Sequence, residues 1–195
     1  MRSFIAVAAL AAFAYAAPEP IFGQSKNVAR DDGSCMSSAD ANQVAINFQN
    51  LISNYSNSLA EASLTSGFQD YSDSVTSLID AGCTGPQPLG SVTFASRDAF
   101  IAGQGSQPNI PFERLNLWYG CDAVFLRWRT TIAPGAPEFV TGIIVLETTQ
   151  AAAGSENAWL INTVYSEFNS GAWLVDLGTF VPSNCTNPSR RLLRN

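Results

Sequence analysis

The feature that most constrains this chain is a change of texture near residue 112. Before it, apolar residues recur at helical spacing behind good caps. After it come four long runs of strand character, Phe112 to Tyr119, Ala123 to Thr131, Glu138 to Thr148 and Trp159 to Phe168, parted only by turn residues at Gly120, Pro134-Gly135 and Gly154-Ser155. Connections that short cannot hold crossover helices, so these strands should pair with antiparallel neighbours. Helices first and a strand meander afterwards define an α+β domain.

The helical part has its own punctuation. Ser37-Ser38-Ala39-Asp40 is a Ser-x-x-acid cap, and Val44, Phe48, Leu51, Ile52 and Tyr55 then mark one face of a helix of about four turns. A second helical piece, Leu59 to Leu64, is expected to stop at Gly67, with a short strand over Phe68 to Ser74. A loop from Gly82 to Gly90 follows, and a third helix should start at the Ser96 cap and stop at Gly103 or Gly105. The run Ala172 to Gly178 is expected as an edge strand or as a strap over the sheet.

Both ends lie outside this pattern. Residues 1–16 hold Met1-Arg2, the apolar run Phe4 to Phe13 and Ala14-Tyr15-Ala16, which reads as a secretory signal peptide, too short to anchor in a bilayer. Residues 17–34 are polar, with Pro18, Pro20, Gly23 and Gly33, and read as a flexible leader, while 186–195 form a basic tail. The domain is therefore expected over 35–185, and the protein outside the cell. Four cysteines, Cys35, Cys83, Cys121 and Cys185, suit an oxidising route as two disulfides, for which three connectivities are open. Two sequons, at Asn54 and Asn184, are candidate glycosylation sites.

Charge and composition narrow the chemistry. Sixteen acidic against ten basic residues give a net charge of −6, which repels nucleic acid and anionic membranes. The chain has no histidine, which removes Ser-His-Asp and Cys-His catalysis and every histidine-containing metal site. No cysteine pair has metal-binding spacing, so no metal is expected. The polar loop Gln104-Gly105-Ser106-Gln107-Pro108 follows a helix and lacks lysine, so it is not a phosphate cradle.

The order of elements is similar to that of nuclear transport factor 2-like domains, in which helices close one end of a strongly curved antiparallel sheet to leave a cone-shaped cavity. The segments Ser37 to Ala41, Asp70 to Ser74, Phe100 to Gly105, Trp118 to Asp122 and Val164 to Ser170 resemble those of a secreted fungal group in that superfamily. The resemblance implies pairing of Cys35 with Cys121 and of Cys83 with Cys185. It also places any activity in the cone, with no cofactor. Candidate cavity residues are Tyr71 and Asp73 on the short strand, Tyr165, Glu167 and Asn169 at the end of the fourth long strand, and Trp118 and Trp128 on the sheet. Residues two apart share a strand face, so each of the two strand sets should converge. A carboxylate buried there would have its pKa raised by desolvation and could act as a general base beside a tyrosine donor. Trp128 shares a face with Val124 and Leu126, opposite Arg127 and Arg129, whereas Trp118 shares parity with Arg114.

Three functions follow as expectations. The first is binding of a small apolar or aromatic molecule in the cone. The second is a cofactor-independent isomerase, cyclase or lyase using cavity Tyr and Asp or Glu, and the third a secreted surface-interaction protein. The implied partners are a small apolar ligand and, through the sheet, a second copy; nucleic acid and membrane are not expected.

Overall fold

A computed structural model describes residues 35–79, 88–132 and 136–180. The signal-peptide stretch, the leader, Cys83, Cys185, Asn184 and the basic tail lie outside the described residues. Helix α1 spans Ser38–Ser53, where the Ser37 hydroxyl accepts from the Asp40 N–H and the Asp40 carboxylate accepts from the Ser37 N–H, closing the box that the sequence announces. Its buried face carries Ala41, Val44, Ala45, Phe48 and Leu51. Helix α2 covers Asn57–Ser63, and α4 covers Arg97–Gln104 behind its Ser96 cap.

Four strands fall close to their expected places: β2 at Glu113–Tyr119, β3 at Ala123–Thr130, β4 at Val140–Gln150 and β5 at Trp159–Phe168. They pair antiparallel in sequence order. The first strand departs from expectation. β1 runs over Leu64–Tyr71 and adds to the free edge of β5, parallel to it, giving the order β1-β5-β4-β3-β2. The sheet is thus mixed, because short turns dictate antiparallel pairing only between strands they join, and β1 is joined to β5 by none.

Three local expectations are corrected. Gly67 does not stop α2; it lies in the irregular stretch between the Leu64 and Gln69 pairings of β1, the bulge that a glycine inside a strand often marks. Asp73 and Ser74 are not strand: the Ser72 hydroxyl accepts from the Val75 N–H and opens helix α3 at Asp73–Leu78. The run after Ser170 is not an edge strand or strap but helix α5, Ser170–Asp176, capped by the Asn169 side chain accepting from the Ala172 N–H. Polar caps, rather than the apolar residues after them, decide both segments.

Alternation sorts the strands onto two faces. Val124, Leu126 and Trp128 on β3, Ile144 and Leu146 on β4, and Val164 on β5 are buried against α1 and its neighbours. Gly142 is required within that layer, since a β-carbon there would stand 2.6 Å from Trp128 Nε1 and 2.7 Å from the Glu167 carbonyl oxygen. Cys35 and Cys121 form a disulfide, and the Met36 N–H donates to the Cys121 carbonyl at 2.9 Å, so the start of α1 is fixed to the β2–β3 turn. Among the described residues no helix is long and apolar enough to cross a membrane.

Candidate functional site

A cavity of about 710 Å³ lies between the inner sheet face and the helices, with walls supplied by α1, α3, α4, α5 and strands β1, β3, β4 and β5. Seven of its lining side chains are aromatic: Phe48, Phe94, Phe100, Phe112, Trp128, Phe168 and Trp173. Trp128 stacks on Phe112 with centroids 4.8 Å apart and takes the edge of Phe168 at 5.8 Å, so the rings brace one another. Gly103 lets α4 close over this wall, because a β-carbon there would meet the Phe94 ring at 2.5 Å. The exposed residues Ser106, Gln107 and Pro108, from the loop after α4, form part of the rim.

Among the described residues one ionisable side chain lines the cavity, Asp70 on β1. Its position follows from register: Val124, Leu146, Val164 and Asp70 stand side by side across β3, β4, β5 and β1, and the first three are fully buried. Asp70 is only 6% exposed, and its Oδ1 has no hydrogen-bond partner. The backbone at Asp70 is pinned, donating to the Phe94 carbonyl at 2.9 Å and accepting from the Thr93 N–H at 2.8 Å. Loss of water, and secondarily the negative charge of Glu167, raise the Asp70 pKa to about 7.

The residues expected at the site sit elsewhere, with one exception. Trp128 lines the cavity. Tyr71 and Tyr165 stack on each other on the outer face, ring centroids 5.4 Å apart, with Tyr165 exposed. Burial around Tyr165 and the charges of Glu147 and Tyr71 raise the Tyr165 pKa. Glu167 accepts from the Asp73 and Ser74 N–H groups at 2.9 and 3.0 Å and from the Ser74 hydroxyl, and so caps α3. Asp73 accepts from the Gly90 N–H at 2.7 Å, and Asn169 caps α5. Trp118 is 52% exposed. A register shift between Arg114 and Asn116 sets Arg114 opposite Trp128 but Trp118 opposite Phe125, so the two do not share a face as simple parity suggests. Arg114 turns to α1, donating to Asn42 Oδ1 at 2.9 Å. Arg129 pairs with Glu113 on the outside, and among the described residues no arginine lines the cavity.

Asp70 is the residue the sequence reading missed, by one position. The signal was present: Phe68, two residues earlier, is wholly buried and fixes the inner parity of the strand on Asp70 rather than on Tyr71. On β5 the inner residues are likewise Val164, Ser166 and Phe168.

Helices packed on a mixed sheet around an aromatic cavity that holds the buried carboxyl of Asp70 define an α+β small-cavity domain. The chain belongs to the NTF2-like domain family, whose model matches residues 34–180. Among solved structures it is similar to a candidate polyketide cyclase from Bacillus cereus ATCC 10987, with 16% identity and a TM-score of 0.53, covering 75% of this chain and 87% of that one. It is also similar to a candidate SnoaL-like polyketide cyclase from Jannaschia sp. CCS1, with 12% identity and a TM-score of 0.51, covering 77% of this chain and 100% of that one. At those identities the likeness is one of fold. No curated protein matches the chain.

Proposed function

We propose that this domain binds a small, flat, apolar or aromatic molecule in its cavity, acting outside the cell that makes it. The observation that carries this reading is the wall: seven aromatic side chains and one carboxyl around about 710 Å³, within the size range of small-molecule sites. The Cys35–Cys121 disulfide and the signal-peptide pattern of residues 1–16 support the extracellular setting. The test is calorimetric titration with a neutral aromatic probe, 1-naphthylmethanol. Saturable one-to-one binding is expected, weakened at least tenfold by Ser166→Phe, which fills the cavity from β5. Failure of the unaltered protein to bind either this alcohol or its amine counterpart, 1-naphthylmethylamine, would overturn the reading.

A second reading, cofactor-independent isomerase, cyclase or lyase chemistry, is favoured by one feature: an acid with a pKa of about 7 in an apolar wall can take or give a proton at neutral pH. In this reading Asp70 is the base, the role that the sequence suggested for Asp73 or Glu167. In D2O such a base would exchange an acidic C–H of the bound molecule. Native mass spectrometry would show that ligand gaining one mass unit on the natural protein and none on Asp70→Asn.

A further inference from the structure

The cavity combines two features whose pairing selects its ligand. Aromatic faces carry the negative part of the ring quadrupole and attract cations, most strongly where water is excluded. The single ionisable group among the described lining residues, Asp70, is negative when ionised, and its Oδ1 lies buried without a donor. Among the described residues no lysine, arginine or histidine lines the space to neutralise it. Glu167, on the same strand pair but engaged with α3, adds a charge of the same sign, the secondary cause of the raised Asp70 pKa. With Asp70 ionised, the described lining residues therefore give the cone negative charge only, with an unmet acceptor at one point of its wall.

Resting on the binding reading above, we propose that the natural ligand is a protonated amine: an N–H-bearing ammonium group on a flat apolar body, its nitrogen donating to Asp70 Oδ1 and its body stacked among Phe112, Trp128 and Phe168. Chemistry discriminates against the alternatives. An anionic ligand meets a like charge. A purely apolar ligand fills the space and leaves the Asp70 oxygen unpaired, a cost that a donor removes. A neutral alcohol supplies a donor but no charge, whereas an ammonium supplies both, and charge-assisted hydrogen bonds are about twice as strong as neutral ones. The ammonium also lets Asp70 ionise in place, because the ion pair replaces the water that burial removed.

The experiment uses two probes of nearly the same shape, 1-naphthylmethylamine and 1-naphthylmethanol, titrated calorimetrically into the disulfide-intact protein at pH 7.5. The amine is expected to bind at least tenfold more tightly. Asp70→Asn should reduce amine affinity to that of the alcohol and leave the alcohol unchanged, while Asp73→Asn, outside the cavity, should leave the tenfold preference intact. The comparison on the unaltered protein decides the matter even if Asp70→Asn fails to fold. Equal affinity, or preference for the alcohol, overturns the amine assignment and leaves the binding reading standing. Failure of both probes to bind overturns the two together.

Discussion

The two faces of this sheet are built from the same strands and differ in what covers them. On the inner face, Val124, Leu146 and Val164 lead across three strands to Asp70, and every one of them is buried. One residue along, the outer face carries Trp118, Phe125, Val145, Tyr165 and Tyr71 in a single row across all five strands, with Trp118, Phe125 and Tyr165 exposed. Both rows are rich in apolar side chains. The difference teaches that composition does not locate a cavity; parity does, together with whichever face the helices cover. Aromatic residues on the open face add little to stability, whereas an acid on the closed face changes its chemistry.

Substitutions of matched size on the two faces should separate them, beginning with the largest effect. Phe68→Ala, removing a wholly buried ring, should cost about 3–5 kcal/mol in urea unfolding, against less than about 1 kcal/mol for Phe125→Ala on the outer row. An equal loss at the two sites would mean that the outer face is covered. Replacing Cys35 and Cys121 together by serine opens a link across 86 positions and should cost about 4 kcal/mol on the chain-entropy account, read as a lower melting temperature under non-reducing conditions.

Asp70 gives a pH-dependent prediction whose sign is opposite to that of an ordinary paired carboxylate. Its pKa is about 7 when folded and near 3.8 in the unfolded chain, so the unfolded state releases its proton first as pH rises. Below about pH 3 both states are protonated and the group contributes nothing. Between about pH 4 and 7 stability should fall, by up to about 4 kcal/mol, and above pH 7 the loss is complete. Asp70→Asn should flatten this decline, leaving the variant more stable than the natural protein at pH 8 and no more stable at pH 4. Denaturant titrations at the two pH values check it. The smallest effect is expected at the outer partner: Glu167→Gln keeps the shape of the α3 cap but removes its charge, costing roughly 1 kcal/mol, and it should lower the Asp70 pKa by a fraction of a unit in an NMR titration.

Where the sequence spoke through periodicity, it located elements within a residue or two: β5 lies at Trp159–Phe168 as read, and α1 and α4 open at Ser37 and Ser96 as their caps announce. Segments ruled by polar capping contacts were less legible. Ser72 with Glu167 turns a strand-like run into α3, and Asn169 turns an ambiguous one into α5. The parallel pairing of β1 with β5 is long-range and leaves no local mark. At the site, the face of Trp128 was readable from Val124 and Leu126 in the same strand. That of Trp118 was not, because the register shift after Arg114 is invisible to simple alternation. The error that favoured Asp73 over Asp70 came from turning the odd positions of β1 inward, although buried Phe68 fixes the even ones, and from carrying the strand past Ser72, and it changed which carboxyl meets the cavity.

The Cys35–Cys121 link also has a topological consequence. It closes the polypeptide into a covalent ring that contains α1, α2, β1, α3, α4 and β2, with β3, β4 and β5 on the strand of chain leaving it. A protease that cuts any one peptide bond inside the ring therefore linearises it without dividing the molecule. Such a nicked protein would run as one species on a non-reducing gel and as two after reduction, and for every cut between Asp70 and Cys121 the piece bearing Asp70 would stay tethered to the piece bearing Trp128.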